Sequence, residues 1–272
     1  MTIAPRLTAI AAALALALGP AAWATSTAPL RLEMTYDGVL NALHLTGETK
    51  VLVLRVVERA GPDDFSTTAE MKSYGLLRVF KLIDIHTSAQ GPVAAGEPQP
   101  RDFAFTAVDR RRVRHAALTW SDSDVTVSPP SHVTGDPAPT PAQKLGAADP
   151  LTQFSRAAYA ASGQDLCARQ WRFFDGDEIY ELRPLGGETA SLSDRDRSLG
   201  LTEAVRCSVR YAEVAGFKHR HGERRDEGLS SAIHAQFGRL GEAGPWVLMS
   251  MKADTILGYA KVALSGVKVG EP

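Results

Sequence analysis

The chain has 272 residues, 44% hydrophobic and 22% charged, with 30 basic and 31 acidic side chains for a net charge of -1. That balance argues against a disordered chain and leaves no strong field to gather nucleic acid or an anionic membrane. The length accommodates one large domain or two small ones, and the composition names no chemistry.

Arg6 is the only charge before residue 31. An apolar run from Ala9 to Leu18 follows, Gly19-Pro20 breaks it, and Ala22-Trp23-Ala24 places small residues where a signal peptidase reads. This order of basic, apolar and small residues predicts a secretory signal at 1–24, cut after Ala24, and a periplasmic mature chain at 25–272. The run is too short to span a bilayer, which needs ~20 apolar residues, and no later stretch is long enough. No cysteine stands at the cut to carry a lipid. Losing the segment removes Arg6 and no acid, so the balance moves from -1 to -2.

The mature chain is dominated by a period of two. Leu32, Met34 and Tyr36 alternate with Arg31, Glu33 and Thr35, a half-buried strand that Asp37-Gly38 should end in a turn. Lys50 to Val57 is nearly continuous Val and Leu, which predicts a strand covered on both faces. Ser66 to Met71 is a further strand. Leu76 to Ile83 fits a short helix or a bent strand. The Gly, Pro and Ala of Ala89 to Pro100 predict a loop. Strands follow at Phe103 to Phe105, Val113 to Leu118 and Val125 to Val127. Ser128 to Ala148 carries five prolines, as a linker between two domains or a long cover over one sheet.

One helix is well marked. Asp149 can cap it, Pro150 suits its first turn, and Leu151, Phe154, Ala158 and Ala161 make one apolar stripe. Ser162-Gly163 should stop it. Strands then return at Ala168 to Phe174 and Glu178 to Arg183, joined by the hairpin signal Asp175-Gly176-Asp177. Ala204 to Val214, Leu229 to Phe237, Trp246 to Ala253 and Tyr259 to Val269 complete the run, with Gly216 to Gly228 as a charged turn. The fold predicted is all-β and mainly antiparallel: a curved or spiral sheet, or half-barrel, with one substantial helix packed on it.

The two cysteines, Cys167 and Cys207, both lie in the mature part. An exported chain with one pair usually joins them, and the loop closed would be worth ~4 kcal/mol. Cys207 shares a face with Val205, Val209 and Tyr211, the inward side of its strand, whereas a catalytic thiol wants exposure and positive charge. A redox pair and two buried free thiols are the alternatives, the first without C-x-x-C spacing.

Other constellations read better as structure than as chemistry. His219 and His221 have strand spacing for a metal, but Lys218, Arg220, Arg224 and Arg225 oppose a cation. Gly228-Leu229-Ser230-Ser231-Ala232 lacks the final glycine and the strand-turn-helix of a nucleophile elbow. Asp175-Gly176-Asp177-Glu178 lacks the later ligands of a calcium loop. Asp194-Arg195-Asp196-Arg197 reads as a self-paired surface loop. Arg110-Arg111-Arg112, with Arg114 and His115, splits between two strand faces and reads as a solvated hairpin. Trp171, Phe173, Phe174, Tyr180, Phe237 and Trp246 are strand aromatics; a curved sheet could leave an apolar groove between them.

Asp149-Pro150-Leu151 opening a helix, then Cys167, Phe174-Asp175-Gly176 with Tyr180, Arg206-Cys207-Ser208-Val209-Arg210-Tyr211 and Ala215-Gly216-Phe217 share an order that resembles an exported proteobacterial family, domain of unknown function 3108. Tyr36-Asp37-Gly38 and Ala253-Asp254-Thr255-Ile256-Leu257-Gly258 resemble its ends. The resemblance implies a curved antiparallel envelope protein similar to the sheets of periplasmic lipid carriers, fits the cysteine pair, and supplies no catalytic residue. Gln90 to Pro100 and Leu185 to Gly200 look like longer inserts.

The expectation is a periplasmic, non-enzymatic envelope protein without cofactor or metal, holding a lipid or other apolar ligand. The alternative is a module that docks on an envelope protein through a strand edge. A hydrolase using His219, His221 or Ser230 is the least supported reading.

Overall fold

The structure is a computed structural model, and it describes residues 29–42, 47–75, 78, 82–109, 112–130, 137–217, 232–255 and 258–270. The segment read as a secretory signal, most of Leu76 to Ile83, Arg110 and Arg111, and His219, His221 and Ser230 lie outside the described residues.

In the first half the strands are β1 (Leu30–Ala42), β2 (Thr49–Ala60), β3 (Asp64–Ser73), β4 (Asp84–Ala94), β5 (Glu97–Pro98), β6 (Asp102–Asp109), β7 (Arg112–Trp120) and β8 (Val125–Ser128). Helices α1 (Pro141–Leu145), α2 (Pro150–Ala158) and α3 (Gly163–Ala168) follow. The second half holds β9 (Trp171–Phe174), β10 (Ile179–Ala190), helix α4 (Asp194–Ser198), β11 (Leu201–Ala215), β12 (Ile233–Leu240), β13 (Trp246–Thr255) and β14 (Gly258–Gly270). All the strands join one sheet in the order β8-β7-β6-β4-β3-β2-β1-β14-β13-β12-β11-β10-β9, with β5 added to β4. Neighbouring strands pair antiparallel, and β1 meets β14, so the two halves of the chain are sewn together through the middle of the sheet.

The sheet curls because strand twist accumulates and bulges add to it. Bulges sit at Thr35/Tyr36, Gly38/Val39, Pro184/Gly186 and Gln236/Phe237. The curl does not close strand to strand. Ala148 enters the seam beside β9, its amide donating to the Arg172 carbonyl at 3.1 Å and its carbonyl accepting from the Phe174 amide at 3.0 Å. From the other side the Trp120 indole donates to the Ala147 carbonyl at 3.2 Å.

Inside the curl lies α2, in contact with β2, β3 and β4 on one side and β9 and β13 on the other. Asp149 caps it as expected, accepting from the Leu151 and Thr152 amides at 2.9 and 2.8 Å. The expected single apolar stripe is incomplete. Leu151, Thr152, Gln153, Ser155, Ala157 and Ala158 are all buried, because the sheet surrounds the helix rather than supporting one face. Ser162-Gly163 does not simply end the helical region; Ser162 caps α3, its hydroxyl accepting from the Asp165 amide.

Several local expectations are corrected. Asp37-Gly38 is not a turn: β1 continues through it with a bulge at Gly38/Val39, and the missing side chain makes room for Leu52, whose Cγ would lie 2.2 Å from a Cβ at position 38. The segment Ala89 to Pro100 is not a loop: β4 continues to Ala94 and β5 folds back on it, with Gly91 bare where the Gln99 carbonyl oxygen would meet a Cβ at 2.0 Å. In β2 only Val56 among the Val and Leu residues is fully buried, since one face of this strand is half open to solvent. Leu185 to Gly200 extends β10 and then forms α4, where Ser193 and Asp196 make a capping box. The crossing segment after β8 contains α1, capped by Thr140.

Candidate functional site

The register places Leu32, Met34 and Tyr36 of β1, Leu54, Val56 and Glu58 of β2, and Phe65, Thr67, Ala69 and Met71 of β3 on the concave face. Val56 stands opposite Ala69, and Glu58 opposite Thr67. Glu58 is therefore an acid on an apolar face, and it is fully buried. Its parity with Leu52, Leu54 and Val56 was legible in the sequence and marks it as inward. The weight of Val and Leu around it concealed the signal.

Glu58 is the centre of a polar cluster that fastens α2. It hydrogen-bonds Ser155, and Ser155 Oγ lies 2.6 Å from Thr67 Oγ1. Glu58 Oε1 has no partner. Burial drives the Glu58 carboxyl up to about 8, only partly opposed by the Ser155 hydrogen bond, so it is neutral at pH 7. Tyr36 donates to Met34 Sδ at 3.4 Å, and Tyr159 donates to the Gly61 carbonyl at 2.9 Å. Burial first, and the nearby Glu58 second, hold both phenols protonated. Phe154 of α2 meets the Tyr36 ring edge-on at 6.3 Å. Asp149, at the helix start, is pushed up to about 6 by burial against its hydrogen bonds. Among the described residues no histidine or thiol belongs to this cluster, and Ser155 is committed to Thr67 and Glu58. The arrangement can hold a helix and a proton; it has no nucleophile paired with a base.

Away from α2 the same concave face changes character. Leu54, Met71, Ile85, Phe105 and Val262 stay only half-buried, and Met251, opposite Val262, is 38% exposed. Leu54 faces Met71, and Met71 faces Ile85, so these side chains form a continuous apolar band across β2, β3 and β4. The apolar groove expected between the later aromatics is partly filled. Trp171, Phe174, Phe237 and Trp246 are buried, while Phe173 stacks on Tyr180 at 4.8 Å and Tyr180 leans on Tyr211.

Cys167 and Cys207 come together, their sulfurs 1.99 Å apart and their Cα atoms 4.8 Å apart. Both are buried, in a second apolar cluster with Val205, Phe237 and Trp246. The inward placement of Val205, Cys207 and Val209 agrees with their alternation. Asp175 Oδ1 accepts from the Asp177 and Glu178 amides at 3.1 and 2.9 Å, the hairpin chemistry expected of that stretch. Among the described residues no group of three or more His, Cys, Asp and Glu could hold a metal ion. Arg114 and His115 lie exposed on β7. Asp194 to Arg197 is helical, not a loop, and carries the Arg197–Asp194 pair at 3.4 Å.

Sequence inspection missed two charged clusters. Glu181 of β10 is buried between Arg172 and Arg183. Its burial would raise the carboxyl, but hydrogen bonds from both guanidinium groups and their charges hold it below the usual range. Glu97 of β5 forms an ion pair with Arg156 at 2.9 Å, whose Nε donates to the Pro98 carbonyl, and accepts from Arg169 at 2.8 Å, tying β5 to α2 and the end of α3. Among the described residues no helix is long and apolar enough to cross a membrane.

No family model matches the chain, and no curated protein matches it. Among solved structures, it is similar to a β-barrel-like protein of domain of unknown function DUF1849 from Brucella abortus. The identity is 13% and the TM-score 0.49, over 90% of this chain and 98% of that one.

Proposed function

We propose that this protein is an exported, non-enzymatic envelope protein that holds an apolar chain in the half of its curved sheet left free by α2. One observation carries the reading: a continuous concave band of Leu54, Met71, Ile85 and their neighbours stays half-exposed in the same curl whose other half is packed shut. Partly exposed apolar side chains lining a concavity are what a lipid-like ligand covers. The 1–24 segment and the buried Cys167–Cys207 pair support export to an oxidising space, with 25–272 as the working unit. The motif order supports kinship with domain of unknown function 3108. Docking through a strand edge is less favoured. β8 and β9 have four residues each, and β10 beyond β9 carries Pro184 and a bulge, features that blunt edges.

Native mass spectrometry of protein purified gently from its own host should show an added mass of lipid size. The delipidated protein should enhance the fluorescence of cis-parinaric acid and release it to palmitate. Leu54→Glu, which puts a charge into the band, should weaken uptake about tenfold. Val262→Trp, which fills the space without a charge, should also weaken it. A protein that arrives empty and takes up no probe refutes the carrier reading. N-terminal sequencing of the same material should begin at Thr25.

A further inference from the structure

The outer face of the sheet, opposite the apolar interior, carries a groove of about 300 Å³ across β11 to β14. Arg206, His234, Gln236, Ser250, Lys252 and Lys261 line it, with Glu48 and Tyr259 at one side. Three fixed cations line it with one carboxylate, Glu48, while two more carboxylates, Glu188 and Asp254, lie at its rim.

The register makes this concentration unusual. His234 stands opposite Lys252, and Lys252 stands opposite Lys261. Like charges directly across a sheet destabilise it. What relief exists comes from the rim. Glu188 pairs with Arg206 at 3.0 Å, Asp254 with Lys252 at 3.4 Å, and Glu48 with Lys261 at 4.0 Å. Exposed pairs of this kind are weak and exchange readily. Glu48 is also engaged by the Tyr259 hydroxyl at 2.8 Å, which holds that acid at the side of the groove. The Lys252 ammonium lies 4.3 Å from the Tyr259 ring centroid, so an aromatic face steadies it.

We infer that this groove is a binding site for a phosphomonoester. A phosphate monoester carries close to two negative charges at neutral pH, enough to replace the weak rim partners of Arg206 and Lys252. Its three oxygens suit two lysine point charges, the guanidinium fork of Arg206, and the neutral donors of Gln236 and Ser250. The volume is at the small end of ligand sites and admits a phosphate with one attached sugar or glycerol unit. The site is separate from the apolar interior, so the inference stands or falls independently of the carrier reading. The same chemistry is presented by a free sugar phosphate and by the headgroup of phosphatidic acid.

The test uses the disulfide-bonded mature chain. Calorimetric titration with glucose 6-phosphate should show saturable binding, and glucose should show none. The double variant Lys252→Ala/Lys261→Ala should bind about tenfold more weakly with its thermal unfolding retained. Arg55→Ala, an exposed cation on distant β2, should bind as the parent does. In parallel, vesicles of phosphatidylcholine with and without phosphatidic acid are sedimented with the protein. Capture only by phosphatidic acid, lost in the double variant, assigns the lipid headgroup as the source. Binding of the sugar phosphate without vesicle capture assigns the free ester. The inference is overturned if neither probe binds, if the double variant binds as the parent does, or if Arg55→Ala weakens binding as much.

Discussion

Replacing Glu58 by Gln should make this protein more stable, and the gain should grow with pH. In the fold the carboxyl is buried, with one oxygen unpartnered, and stays protonated up to about 8. In the unfolded chain it ionises at its ordinary value of 4.5. Between those values the folded state binds the extra proton, so rising pH favours unfolding. The contribution of the raised carboxyl is intact below 4.5 and is lost progressively as pH climbs through about 8. Each pH unit in this window is worth ~1.4 kcal/mol, so the cost at pH 7 is about 3 kcal/mol. Asp149, pushed up to about 6, adds a slope of the same sign, and Glu181, held low, adds the opposite one. The difference between parent and Glu58→Gln cancels both. Urea unfolding of the two proteins from pH 5 to pH 8 measures it. A difference that is flat across that range would refute the buried neutral acid.

Other expectations follow from the same packing. Cys207→Ser opens the link between positions 40 residues apart and should cost ~4 kcal/mol in urea unfolding under oxidising conditions; no loss would mean the parent holds free thiols. Asp149→Ala removes the acceptor for two helix amides and the Thr152 hydroxyl, and should cost about 2 kcal/mol. Its effect should appear in amide exchange of α2 before that of the distant sheet. Gly163→Ala places a methyl 2.3 Å from Val205 Cγ1 and 3.0 Å from the Trp246 ring, an overpacking worth ~1–3 kcal/mol in thermal unfolding. Glu97→Gln should loosen β5 by leaving Arg156 and Arg169 without their shared carboxylate, which proteolysis near Glu97 would report.

The strands were legible wherever one face is buried and the other is wet. Leu32, Met34 and Tyr36, and Val205, Cys207 and Val209, announce their inward side because side chains alternate across a sheet. The Asp149-Pro150 helix start was legible because capping is local chemistry. Ala89 to Pro100 misled, since its glycines and prolines serve a close backbone approach between β4 and β5, a nonlocal requirement. Asp37-Gly38 misled for the same reason, with Leu52 as the distant neighbour.

Alternation and capping determined an antiparallel sheet and one capped helix, and cysteine parity gave the expectation that Cys167 joins Cys207, because each depends on neighbours a few residues away or on a count. Tertiary structure alone decided that α2 lies within the curl, that Glu58 is sealed beside Ser155, and that Arg206, Lys252 and Lys261 share one outer groove. Those facts depend on strand order and register, which join residues as far apart in sequence as Arg31 and Gly270 through backbone hydrogen bonds that look the same for any side chain.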